Sequence, residues 1–216
     1  MAKWEKFHAQ FYGITQTGKT HQALSWLGSH TGLRLFIDTK AETYTKKKFK
    51  NLFHYIIPLN RFQEIIDNFQ FYYKQNAKIA LIPTALKLDK EMKEFVKVLW
   101  KFKVRNIFKM VCLIDEVQEY SCKKEIRSLF VQGLSKRLVM GLTSQGWSQV
   151  DKNIRRNCEL TVILKQTKKE IAEMMEQDIL PYDTNEQGWR ISKVKFTKKY
   201  QCYAEIGKGG KFMELN

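Results

Sequence analysis

Gly13-Ile14-Thr15-Gln16-Thr17-Gly18-Lys19-Thr20 decides how this chain is read. The stretch fits G-x-x-x-x-G-K-[ST], the pattern of a phosphate-binding loop. The apolar pair Phe11-Tyr12 precedes it, and His21-Gln22-Ala23-Leu24-Ser25-Trp26-Leu27 follows with helical spacing. A strand entering the loop and a helix leaving it is the context in which the pattern has mechanical meaning. Loop N–H groups at a helix N-terminus can then cradle a polyphosphate. In that arrangement Lys19 neutralises the terminal phosphates and Thr20 holds Mg²⁺. The competing reading is a chance Gly/Thr turn ahead of a core helix, and the rest of the chain decides between the two.

Outward from the loop, apolar patterning alternates between strand and helix periods. Strands are predicted at 8–12, 33–37, 78–82, 108–114, 138–143 and 160–164. Helices are predicted at 61–74, 89–103, 124–134, 150–157 and 168–177, besides the one after the loop. Phe62, Ile65, Ile66, Phe69 and Tyr73 give 61–74 one apolar face. Asp89 is a candidate N-cap. The run Phe108-Lys109-Met110-Val111-Cys112-Leu113-Ile114 is too continuous for a half-exposed strand and suits a central strand buried on both faces. From residue 189 the pattern changes. Stretches 189–196 and 200–206 alternate in the strand manner, Gly207-Lys208-Gly209-Gly210-Lys211 reads as a turn, and 212–215 returns. The expected fold is α/β, a mostly parallel sheet flanked by helices with a C-terminal β-hairpin. The length suits one domain over 1–216, with a nucleotide-binding core at about 8–177 and the hairpin extension at about 189–216.

Two further strand ends carry chemistry. Leu113-Ile114-Asp115-Glu116 closes the most apolar run with an acidic pair. Ligands of open α/β sheets bind at such strand ends. Beside a phosphate loop, Asp115 would hold Mg²⁺, and Glu116 would orient or activate a water, which favours hydrolysis over transfer to an acceptor. The plainer alternative is a solvated pair ending a strand. Thr143-Ser144-Gln145 ends the next apolar strand, where the Gln145 amide could sense the γ-phosphate or position water.

Together the phosphate loop, the strand end Ile37-Asp38-Thr39-Lys40, the Ile114-Asp115-Glu116 site and Thr143-Ser144-Gln145 resemble the FtsK–HerA superfamily of DNA-pumping ATPases. The chain looks most like the short genome-packaging ATPases of viruses, especially archaeal viruses with an internal membrane, on its length and on 141–168. The resemblance spans most of residues 8–170. It implies a RecA/ASCE-like P-loop NTPase fold with ATP and Mg²⁺ as cofactors, Glu116 as catalytic carboxylate and Gln145 as sensor. It also implies a homo-oligomeric ring, usually a hexamer, in which an arginine of one subunit reaches the neighbour's γ-phosphate. Arg137, Arg155 and Arg156 are the candidates. The implied partners are double-stranded DNA and capsid or virion-membrane proteins. The implied location is the host cytoplasm or the virion.

Composition agrees with a polyanion partner. Lys and Arg exceed Asp and Glu to give a formal charge of +16, which attracts nucleic acid without selecting a sequence. A Lys-rich chain with solvated lysines is the bland alternative. Lys46-Lys47-Lys48, Lys123-Lys124, Lys168-Lys169 and the 207–211 turn are candidate DNA contacts. Trp147 and Trp189 are candidates for stacking on bases, with core or interface packing the plainer reading. No apolar run reaches the length of a membrane span, and Met1-Ala2-Lys3-Trp4-Glu5-Lys6 lacks the apolar core of a signal peptide, so a cytoplasmic location is expected. Cys112, Cys122, Cys158 and Cys202 have no metal-ligand spacing, and Cys112 reads as a small core residue. Three other functions remain in view: a phage-assembly ATPase of the zonula-occludens-toxin type, a nucleotide or small-molecule kinase, and a non-enzymatic nucleic-acid binder.

Overall fold

The computed structural model describes residues 7–42, 49, 51–106, 108–194, 202–206 and 213–215. In chain order the elements are β1 (Ala9–Tyr12), α1 (Lys19–Ser29), β2 (Leu33–Ile37), β3 (Tyr55–Pro58), α2 (Phe62–Asp67), α3 (Phe69–Lys74), β4 (Lys78–Ile82), α4 (Leu88–Arg105) and β5 (Met110–Ile114). They continue with α5 (Lys123–Gln132), β6 (Leu138–Ser144), α6 (Lys152–Arg156), β7 (Leu160–Ile163), α7 (Lys168–Glu176), β8 (Tyr182–Thr184), β9 (Arg190–Ser192), β10 (Cys202–Ile206) and β11 (Met213–Leu215).

Every residue of β5 is buried, as its unbroken apolar run demands. Met110, Cys112 and Ile114 face one apolar layer with Phe62, Phe95 and Leu99, while Val111 and Leu113 face the other with Leu24, Trp26 and Leu27 of α1. That alternation makes β5 the spine of a sheet covered by helices on both sides. Among the described residues the sheet is nine-stranded, in the order β11-β10-β7-β1-β6-β5-β2-β4-β3. From β7 to β3 neighbouring strands run parallel. The fold is the α/β, mostly parallel sheet expected. The C-terminal hairpin β10–β11 joins its edge antiparallel to β7, with Tyr203 opposite Ile163.

Register positions the site. Tyr12 lies opposite Ser144, Leu142 opposite Ile114, and Ile114 opposite Ile37. The strands β1, β6, β5 and β2 therefore end at one edge, and the chain leaves each of them there. Gly141 lets α1 lie close on β6, because a Cβ there would stand 2.4 Å from the Trp26 ring.

Some elements differ from expectation. Helix 61–74 is two helices, α2 and α3, that meet at Asn68, whose side-chain amide and backbone N–H both donate to the Glu64 carbonyl, at 2.9 and 3.1 Å. Asp89 is not an N-cap. It is the second residue of α4, and its carboxylate accepts the Ser121 N–H at 2.7 Å, just ahead of α5. Strands β3 and β8 lie outside the strands expected from the sequence. Part of the 189–196 stretch, Arg190–Ser192, pairs with Tyr182–Thr184, apart from the main sheet. Lys46-Lys47-Lys48 and the 207–211 turn lie outside the described residues.

Candidate active site

The loop after β1 is anchored at its start. The Gly13 N–H reaches the Ser144 carbonyl at 3.3 Å, and the Ile14 N–H donates to Lys165 at 3.1 Å. Gln166, its amide turned to satisfy both neighbours, accepts from Gly13 N at 2.8 Å and donates to the Gln145 carbonyl at 3.1 Å. The loop then turns through left-handed backbone at Gln16 (φ 66°) and Gly18 (φ 92°), and Thr17 Oγ1 donates to the Ile14 carbonyl at 2.8 Å. Helix α1 begins at Lys19 with no side-chain cap and no acidic residue in its first turn. Its free N–H groups suit an anion better than they suit the chain's own side chains.

Lys19 crosses from α1 to the end of β5, and its Nζ lies 2.9 Å from Glu116 Oε1. Both side chains are nearly inaccessible, at 5% and 6% exposure. Lys40, just past β2, places its Nζ 2.9 Å from the same oxygen, with 38% of its side chain exposed. Gln118 Nε2 donates to Glu116 Oε2. Glu116 itself has left-handed backbone (φ 48°), and its N–H donates to Thr143 Oγ1 at 2.8 Å. The Thr143 hydroxyl in turn donates to Asp115 Oδ1 at 2.6 Å. One β6 side chain thus fixes both members of the acidic pair.

The ionisation follows from these contacts. Burial opposes charge on Glu116, but the Lys19 ammonium, the Gln118 amide and the Lys40 ammonium hold its carboxyl below the usual range. Burial raises Asp115 to about 6, with the charges of Glu116 and Asp38 adding to it against the Thr143 hydrogen bond and Lys19. Burial lowers Lys19 despite the opposing pull of Glu116. For Lys40, burial is outweighed by the Glu116 hydrogen bond and charge, so its ammonium is held above the ordinary value.

The residues present fit a magnesium-bound polyphosphate. A buried ammonium needs an anion, and Lys19 sits between the loop and the acidic pair. Among the described residues no cluster of three or more His, Cys, Asp or Glu is arranged to hold a metal alone. Mg²⁺ needs no such cage, since it commonly takes one or two protein oxygens with phosphate and water. Thr20, in the first turn of α1, and Asp115, just past the end of β5, both carry side-chain oxygens at this edge of the sheet.

The remaining expected residues fall in different places. Gln145 follows β6 at the same edge and is half-buried. Arg155, in α6, lies 4.5 Å over the Trp147 ring and donates to Gln177 Oε1 at 3.2 Å. Arg156 is exposed on the same helix. Arg137 is exposed at the other end of β6, the length of the strand from Gln145, roughly 25 Å. Trp147 is buried against Tyr12, with ring centroids 5.0 Å apart, so the core reading holds for it. Trp189 is 71% exposed on the β8–β9 hairpin. Sequence reasoning did not assign roles to Lys40, Gln118, Thr143, Gln166 or Glu170. Lys40 and Thr143 were visible as polar residues ending apolar strands, but their targets depend on which strands lie side by side.

No protein-family model matches the chain, and no curated protein matches it by sequence. Solved structures do match. The genome packaging NTPase B204 of Sulfolobus turreted icosahedral virus 2, in complex with AMPPCP, superposes with a TM-score of 0.65 at 13% identity, over 98% of this chain and 97% of that one. The bacterial conjugative coupling protein TrwB matches at 0.60 and 10% identity, over 96% and 84%. EssC (ATPases 2 and 3) from Geobacillus thermodenitrificans matches at 0.52 and 13% identity, over 96% of this chain and 40% of that one. The fold is that of a P-loop NTPase. In particular, it is the fold of the packaging NTPase B204 along nearly the whole of both chains.

Proposed function

We propose that this protein is an ATP-hydrolysing motor of the FtsK–HerA type that moves double-stranded DNA, in the manner of a viral genome-packaging enzyme. The observation that carries the reading is the buried 2.9 Å contact between Lys19 and Glu116, which joins the phosphate loop to the acidic pair. The loop N–H groups and the first turn of α1 would bind the phosphates of ATP. Thr20 and Asp115 would hold Mg²⁺, which would supply charge neutralisation at the β- and γ-phosphates. Lys19 would exchange Glu116 for the γ-phosphate. Glu116 would then align the attacking water and receive its proton. Thr143 keeps the two carboxylates in their separate tasks by donating to Asp115 while accepting the Glu116 N–H. Gln145 would report on the γ-phosphate from the end of β6.

ATP would sit between subunits of a ring. Of the candidate arginines, Arg137 and Arg156 are exposed and available to a neighbour, whereas Arg155 is engaged with Trp147 and Gln177. Lys123-Lys124 and Lys168-Lys169 are exposed at the starts of α5 and α7, on the edge where the strands end. Phosphate contacts there would position DNA without reading its sequence. The shared fold with a packaging NTPase and a conjugative coupling protein supports this reading over a kinase. A kinase also has no use for Glu116 as a water base.

The test is ATP turnover by the purified chain with and without double-stranded DNA. Lys19→Ala and Glu116→Gln should each lower turnover by about a hundredfold or more, with circular dichroism unchanged. Undiminished turnover in either variant would refute the assignment. ADP release that requires an added acceptor would favour the kinase instead.

A further inference from the structure

Glu116 Oε1 carries two ammonium groups, Lys19 and Lys40, each at 2.9 Å. Because Lys19 serves the phosphate loop, this oxygen faces the place where the γ-phosphate and its attacking water would stand. The other oxygen is held by Gln118. Two donors fill both lone pairs of Oε1, so the oxygen on the Lys19 side has none to spare for water.

The Lys40 contact is built by the fold. Asp38 N–H donates to Leu81 O at 2.9 Å, and the turn after it closes with Ala41 N–H on Asp38 O at 3.0 Å and Glu42 N–H on Asp38 Oδ1 at 3.1 Å. Between them Thr39 Oγ1 donates to the Asp115 carbonyl at 2.5 Å and meets Tyr120 OH at 2.8 Å. The Asp38 bond ties the end of β2 to β4, the Thr39 bond ties it to the end of β5, and the turn between them presents Lys40 to Glu116. The orientation of Glu116 does not depend on Lys40. Its backbone is fixed through Thr143, and Gln118 fixes its far oxygen. What Lys40 adds is occupancy of the reactive oxygen.

The two lysines differ in access. Lys19 is enclosed, while over a third of the Lys40 side chain faces outward. A nucleotide phosphate would draw Lys19 away from inside. Only Lys40 is reachable by a phosphate arriving from outside. We infer that Lys40 is a restraint on Glu116, released when a backbone phosphate of bound nucleic acid takes up its ammonium group. Hydrolysis would then require both a loaded loop and an engaged track. This rests on the ATPase reading above and adds how that site is regulated.

The experiment compares the full chain with Lys40→Ala and Lys40→Arg, measuring ATP turnover with and without double-stranded DNA. Lys40→Ala should raise the DNA-free kcat by about fivefold, the factor that ~1 kcal/mol of restraint represents, with KM for ATP little changed. Its stimulation by DNA should shrink accordingly. Lys40→Arg, which keeps a cation with several donors, should bring the DNA-free rate back toward that of the unsubstituted chain. A DNA-free rate in Lys40→Ala equal to or below that chain's, or an undiminished stimulation factor, overturns the inference. Background turnover by the unsubstituted chain, equal to that of Lys19→Ala, would instead sink the ATPase reading. The contact is tested separately, without nucleotide, by a double-mutant cycle of Lys40→Ala and Glu116→Gln on the denaturation midpoint. Additive shifts there would overturn the restraint whatever the turnover.

Discussion

His8 stands just before β1 with no exposed surface, and its Nδ1 accepts the Met140 N–H of β6 at 2.9 Å. Burial lowers its pKa to about 4, against a smaller raising contact from the Phe130 backbone. Protonation would both bury a charge and remove the acceptor that Met140 needs. The unfolded chain takes up this proton below about pH 6.5, whereas the folded chain resists it to about pH 4. Its contribution to stability is therefore complete above pH 6.5 and is lost as pH falls through that window. The slope is up to roughly 1.4 kcal/mol per pH unit. His8→Gln keeps an acceptor but does not titrate, so its urea stability should fall less steeply between pH 6.5 and 4. Parallel pH profiles for the two proteins would rule out His8 as the source. Glu116 shows a different use of a single residue. Its left-handed backbone (φ 48°) costs on the order of 1 kcal/mol in a residue with a Cβ. That turn brings its N–H onto Thr143 and its carboxylate onto Lys19.

At the scale of elements, the loop following β6 is held from α7. Glu170 Oε2 accepts the Trp147 N–H at 2.7 Å and the Ser148 N–H at 3.3 Å, and its Oε1 accepts the Ser148 hydroxyl at 2.8 Å. A side chain at Gly146 would collide with this carboxylate, since a Cβ would lie 2.6 Å from Glu170 Oε1. Glu170→Ala should lower stability by about 1–3 kcal/mol and speed amide exchange at Trp147 and Ser148. Glu170→Gln, which retains one acceptor oxygen, should lose less. Unchanged exchange in the alanine variant would mean that the clamp does not hold the Gln145 loop. This clamp was not legible in the sequence, although Thr167-Lys168-Lys169-Glu170 is a capping-box pattern. Thr167 does cap α7, with Oγ1 accepting the Glu170 N–H at 3.2 Å, but the Glu170 side chain reaches across to another element. The central strands were legible because a strand buried on both faces must be apolar throughout. Strand β3 escaped because it is short, half-exposed and ends in Pro58. The strand ends bearing Asp115, Glu116 and Gln145 could be read locally. The contacts of Lys40 and Thr143 with them could not, because they exist only through the neighbouring of β2, β5 and β6.

The whole molecule carries a formal charge of +16, and charge acts at a longer range than any of these contacts. Composition gives the excess of positive charge, but not where that charge gathers. Parallel connection puts the starts of α5 and α7 at the edge where the phosphate loop lies, and with them the exposed Lys123, Lys124, Lys168 and Lys169. A track bound there should be held by counterion release, so log K for duplex DNA should fall linearly with log salt at about −0.9 per phosphate neutralised. A motor that contacts backbone alone should bind duplexes of unrelated sequence within a few-fold of one another. Replacing these four lysines by glutamine should weaken binding to every duplex alike. It should also flatten the salt slope by about 0.9 for each lysine in contact. The variant should keep its DNA-free ATP turnover, because none of the four side chains is bonded to Glu116, Asp115 or Lys19. Fluorescence anisotropy titrations at several salt concentrations, with two unrelated duplexes, measure both quantities. A slope unchanged by the fourfold replacement would place the track elsewhere on the molecule. Strong preference for one duplex would argue against a motor that moves along DNA regardless of sequence.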